Sequence, residues 1–190
     1  MAHAAQQLFF EKVKEAYPEF FAWRNVIEIG SLDINGSLRG LFDYCNYVGF
    51  DVGHGPGVDY AVQGQDVVYP DDSFDIAVSS ECFEHNPYWK ETFANMDRMV
   101  KDDRGIVAFS CAGTGRPEHG TTRTDGGSSP LTVGIGWEYY QNLAPDDFKG
   151  LTKSFDAVTW YENTVNKDLY FVGVRGVEHV DLGLGDIPWA

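Results

Sequence analysis

A chain of 190 residues with 43% hydrophobic and 15% aromatic content is long enough to bury a core of its own, which excludes a disordered whole. Its formal net charge of −15, with no local cluster of Lys or Arg, sets aside nucleic acid and anionic membrane surfaces as partners. Three widely spaced cysteines without a C-x-x-C pair indicate neither a disulfide framework nor a thiolate metal site, and no apolar run nears the roughly 18 residues of a membrane span, so a soluble, cytoplasmic protein is expected.

Leu8, Phe9, Val13 and Ala16 recur at helical spacing and predict an amphipathic helix within a lead-in over 1–24. Phe20, Phe21 and Trp23 follow as an aromatic cluster expected in the core. The β-branched run Val26–Ile29 then ends at Gly30, a turn of small and Asx residues follows, and Leu38, Leu41 and Phe42 predict a helix capped by Ser37. Gly30 and Gly36 would admit backbone close to a ligand. This strand, turn and helix commonly face a nucleotide.

The next strand, Tyr47–Asp51, ends in a carboxylate about twenty residues beyond Glu28, the spacing at which an acid meets a ribose diol. After a glycine-rich loop carrying His54 come a short strand at Tyr60–Val62 and polar turn material over Gln65–Asp75. Ile76–Ser79 reads as a buried strand, and Ser80–His85 leaves it where ligands bind in open α/β sheets. A long helix begins near Pro87 with Phe93, Met96, Met99 and Val100 on its apolar face, and Ile106–Phe109 is the fifth strand.

From Ala112 to Gly136 the periodicity disappears; a loop of that length is usually functional, here a candidate lid holding Arg116, Glu118, His119, Arg123 and Asp125. Trp137–Asn142 reads as a short helix, Ala144–Phe148 as another turn, and two strands at Ser154–Tyr161 and Leu169–Val174 form an antiparallel hairpin before a tail over 175–190. His3 and His179 sit in the terminal segments without visible chemistry. The expected fold is a single α/β domain over 1–190, a Rossmann-like, doubly wound, mostly parallel sheet with a C-terminal antiparallel hairpin.

Between Val26 and Val174 the chain resembles a class I S-adenosylmethionine-dependent methyltransferase of the small-molecule, type 11-like kind. Val26–Gly30 resembles the family's first motif, which implies that Glu28, Gly30 and the turn through Ser31, Asn35 and Gly36 lie beside the methionine part of the cofactor. Tyr47–Asp51 resembles the second, which implies that Asp51 accepts from the ribose hydroxyls with Val52 next to it. Gln65-Asp66-Val67 resembles the adenine-contacting motif, and Ser73–His85, with Ser80, the strand and turn beneath the cofactor. The family's further glycines are replaced by Leu32 and Ile34, so Asn35 is expected to bond local backbone in their place. An acid ending the second strand also suits NAD, but no G-x-G-x-x-G is present.

The implied reaction is methyl transfer to oxygen or nitrogen of a small polar acceptor, with S-adenosylmethionine as cofactor and His85 and His119 as candidate bases. Glu81 and Glu84 could assist, and Tyr139 and Tyr140 could line the acceptor site. No metal is expected, because His85, His119 and Glu81 lack close ligand spacing and the transfer needs none. The alternative is a regulatory protein that binds the nucleotide without catalysis. These residues set no oligomeric state.

Overall fold

The computed structural model describes residues 4–186; His3, the first part of the lead-in and the last residues of the tail lie outside it. Helix α1 (Ala4–Ala16) is followed by β1 (Asn25–Ile29), β2 (Asn46–Asp51), the two-residue β3 (Tyr60–Ala61) and β4 (Ile76–Ser80). Helix α2 (Trp89–Met99) leads to β5 (Gly105–Ala112), the short α3 (Pro130–Gly134), and the hairpin of β6 (Ala157–Asn163) and β7 (Asp168–Arg175). The strands form one sheet in the order β3-β2-β1-β4-β5-β7-β6. All pairs are parallel except β5–β7 and β6–β7. The order reverses between β1 and β4, and ligands of open α/β sheets bind beyond the strand ends at such a point.

Every residue of β4, β5 and β7 is buried, as expected for strands covered on both faces. One face packs Phe83, Phe93, Phe109, Phe148 and Phe171 beneath α2, with Phe109 and Phe171 stacked at 5.0 Å between ring centres. The other face packs Phe9, Phe10 and Val13 of α1 on Val26, Val78 and Tyr170. The mostly parallel sheet and terminal hairpin are as the sequence predicts. Among the described residues no helix is long and apolar enough to cross a membrane.

Three local expectations are corrected. The helix after β1 is only a 3-10 turn over Leu38–Leu41, capped by Ser37, whose hydroxyl accepts from the Arg39 amide. The face such a helix would cover is already occupied by α1, and Gly40 within the turn offers no side chain to bury. Trp137–Asn142 is not helical, because its backbone bonds outward: the Gln141 amide donates to the Glu84 carbonyl and the Leu143 amide to Ala112. Trp23 leaves the core that holds Phe20 and Phe21; it is 73% exposed, at φ 59°, stacked on exposed Tyr44.

Candidate functional site

A cleft opens at the C-terminal ends of β1, β2 and β4. Its floor depends on Gly30, at φ +81°, where a Cβ would lie 2.6 Å from Cys82 Cβ. Only glycine lets the turns after β1 and β4 meet this closely. The Gly30 and Ser31 amides both donate to the Phe50 carbonyl, locking the turn onto β2. Asp51 then receives the Leu32 amide on Oδ2 at 3.1 Å and the Val52 amide on Oδ1 at 2.8 Å. Its burial pushes the carboxyl pKa up, and those two amides oppose the rise.

Leu32 and Ile34 are accommodated because Asp33 organises the turn: its Oδ1 accepts from the Gly36 amide at 2.9 Å. This corrects the expectation for Asn35, which is exposed and off the cleft. The Asx bond spans three residues, and Asp33 stands where it can close on Gly36. Glu28, fully buried, accepts from the Tyr47 hydroxyl at 2.6 Å. Its pKa is pushed up to about 7, chiefly by burial, against the lowering pull of Tyr47 and Arg39.

Of the residues expected at a cofactor, Glu28, Gly30, Ser31, Gly36, Asp51, Val52 and Ser80 line the cleft. Gln65, Asp66 and Val67 do not; their turn presents Gly64 instead. Asn95 Nδ2 donates to the carbonyls of Gly64 and Val67 at 2.9 Å, pinning the turn to α2 with Val67 in the core and Asp66 in solvent. The long loop supplies the facing wall through Ser128, Ser129, Leu131 and Thr132, with Trp137 of the segment that follows beside them. Apart from the loop's length, no sequence signal singled out these residues, and α3 beginning at Pro130 has no apolar period to reveal it.

Beyond β4 the chain turns through Glu81, at φ 52°, into a 3-10 turn over Phe83–His85. Glu81, Glu84 and His85 are all buried, and no carboxylate oxygen or ring nitrogen of the three has a hydrogen-bond partner among the described residues. Arg116 stands 3.8 Å from Glu81, but its guanidinium also binds Asp168 and the Asn166 carbonyl. Burial raises the Glu84 carboxyl pKa, and the charge of Glu81 raises it further. Burial, then the neighbouring His119 and Arg116, drive His85 down to about 3, so its imidazole is neutral across the physiological range.

His85 lines the cleft, whereas His119 approaches from behind it, their rings edge to face at 5.0 Å with Tyr140 beside both. Gly120 makes this approach feasible, since a Cβ there would meet His85 Cε1 at 2.5 Å. Glu84, His85 and His119 bring one ligand atom each to within 4.8 Å of one another. The close spacing absent from the sequence is thus produced by the loop folding back, and the acid involved is Glu84.

The profile of the methyltransferase-domain family matches residues 1–120. A search of curated proteins finds no match in sequence. Among solved structures, the chain is similar to 1,6-didemethyltoxoflavin-N1-methyltransferase of Burkholderia thailandensis, with 1,6-didemethyltoxoflavin and S-adenosylhomocysteine bound, at TM-score 0.61 and 11% identity over 90% of this chain and 78% of that one. It is also similar to phosphoethanolamine N-methyltransferase 2 of Haemonchus contortus at TM-score 0.62 and 14% identity, covering 90% of this chain and 52% of that one. The CurJ carbon methyltransferase aligns at TM-score 0.59 and 12% identity, over 92% and 56%. The chain therefore spans little more than half the length of the last two.

Proposed function

The chain belongs to the methyltransferase-domain family, whose methyl donor is S-adenosylmethionine, and on that premise we propose that it methylates oxygen or nitrogen of a small polar acceptor. Asp51 carries the reading. Each of its oxygens is held by one backbone amide and keeps a further lone pair for a hydroxyl, so the carboxylate suits a ribose diol. The cleft also suits the rest of the donor: Gly30 leaves room for close approach, the buried Ser31 hydroxyl has no partner among the described residues, and Glu28 stands one residue before the end of β1. In this reading Gly30, Ser31, Gly36 and Ser80 hold the methionine portion, with Val52 and Gly64 flanking the adenosine.

When bound, S-adenosylmethionine supplies a sulfonium methyl that passes to the acceptor's lone pair while the carbon–sulfur pair stays on sulfur. The protein's task is to place the acceptor in line and exclude water. Leu131 and Trp137 supply apolar cover from the lid wall. His85, neutral and on the cleft wall, can orient the acceptor or accept the proton of an O–H group, with His119 behind it. The similar structures include nitrogen and carbon methyltransferases by name, so the fold does not select the atom. The imidazole and carboxylates beside the cleft favour O–H or N–H acceptors.

Calorimetric titration with S-adenosylmethionine and S-adenosylhomocysteine tests the reading. Both should bind the intact chain, and Asp51→Ala should weaken them by about 100-fold, the loss of two hydrogen bonds to a charged group. Equal binding by the variant, or none by the intact chain, sinks the assignment of the cleft.

A further inference from the structure

Two buried carboxylates without a hydrogen-bond donor are costly to keep, and the cost is relieved when a cation enters. Glu81 and Glu84 are in that state, 6% and 0% exposed, with all four side-chain oxygens lacking hydrogen bonds among the described residues. Arg116 approaches Glu81 to 3.8 Å, but its guanidinium is shared with Asp168 and the Asn166 carbonyl. Beside Glu84, His85 has both ring nitrogens without hydrogen bonds among the described residues, its Nε2 4.0 Å from Glu84 Oε1.

His119 completes the group in a form suited to ligation. Its Nδ1 lies 3.1 Å from the Pro117 carbonyl, which can only accept, so Nδ1 is the donor there and Nε2 is the ring atom left to face a ligand. A carbonyl behind the imidazole is the usual support for a metal-bound histidine. We propose that Glu84, His85 and His119 form a binding site for one divalent transition-metal ion, with the Glu81 carboxylate beside it.

Donor atoms about 2.1 Å from one tetrahedral ion lie about 3.4 Å apart, so side-chain rotation has to draw together donors that already stand within 4.8 Å of one another by about 1.4 Å at most. Two imidazoles and a carboxylate suit Mn, Co or Zn better than Mg or Ca. Three protein ligands leave coordination positions open, and because His85 lines the donor cleft, those positions lie at its wall. An oxygen of the acceptor would occupy one. That last point deepens the methyl-transfer reading and rests on it, whereas the ion site stands on its own residues.

The test uses the full chain stripped with a chelator and titrated with Co(II) alone, without donor or acceptor, by visible d–d absorption. The expected result is one equivalent bound, with affinity reduced about tenfold or more in Glu84→Gln and in His119→Ala and unchanged in His54→Ala, an exposed histidine elsewhere. Circular dichroism confirms that each variant is folded, and His119→Ala, half-buried on the loop, serves if Glu84→Gln does not fold. An unchanged spectrum, or variants that bind as the intact chain does, overturns the site. Calorimetry with S-adenosylmethionine on the same samples separates the two readings: Co(II) binding without donor binding overturns the methyltransferase reading and retains the ion site.

Discussion

The acids at the ends of β1 and β2 and those after β4 share a sheet edge and deep burial, yet their surroundings are opposite. Asp51 is answered by two backbone amides and Glu28 by the Tyr47 hydroxyl. The carboxylates of Glu81 and Glu84 have no hydrogen-bond donor among the described residues. The first pair is held by protein donors before anything binds, which preorganises Asp51 to receive hydroxyl groups. The second lacks that complement among the described residues, the state that the proposed ion would relieve.

The largest effect that separates the two pairs concerns pH. Glu28 rises from 4.5 to about 7 on folding, so the folded chain retains a proton that the unfolded chain loses. Its contribution is fully present below 4.5 and is lost as pH rises towards 7, by up to about 3 kcal/mol at 1.36 kcal/mol per pKa unit. Denaturant unfolding of the intact chain and Glu28→Gln across this window should converge at the acid end and diverge at the neutral end, with the variant gaining; parallel curves would remove Glu28 from the account.

A smaller effect is expected where the long loop meets His85. Gly120→Ala places a methyl 2.5 Å from His85 Cε1 at φ +66°, costing about 1–2 kcal/mol for the backbone conformation alone. Thermal unfolding should register that loss, and turnover should fall further than stability because the loop is lifted from His85. A normal rate in a destabilised Gly120→Ala would show that the contact between loop and His85 is dispensable.

The smallest effect has the opposite sign. Glu84→Gln removes a buried carboxylate that no donor answers, so the chelator-treated variant should be as stable as the intact chain or more stable, by about 1 kcal/mol. Asp51→Asn should instead destabilise by about 1–3 kcal/mol, since the amide group can no longer accept from both Leu32 and Val52 through oxygen. If both substitutions destabilise alike, the contrast between the two acidic pairs collapses.

Much of the cleft at the ends of β1 and β2 was legible because it follows the chain locally. A β-branched run ending in glycine, and a second strand ending in an acid, carry their own pattern, and Glu28, Gly30 and Asp51 fall where that pattern places them. Asn35 and Asp66 failed for a local reason of another kind: side-chain direction within an irregular turn depends on which neighbour closes it, Asp33 in one case and Asn95 in the other. The lid wall was visible as a long aperiodic loop, but nothing local marks Leu131 or Trp137 as residues that face a cleft.

Alternation of apolar segments with turns, and the hydrophobicity of strands covered on both faces, determined the α/β class, the sheet's mostly parallel character and its terminal hairpin. These are properties of short windows, set by side-chain period and turn chemistry. Tertiary structure alone decided that α1 takes the face a helix after β1 would have covered, and that His119 returns across Gly120 to stand against His85 and Glu84, 34 and 35 residues earlier. Contacts between residues so far apart in sequence depend on how the loop closes over the sheet, a geometry that no local pattern encodes.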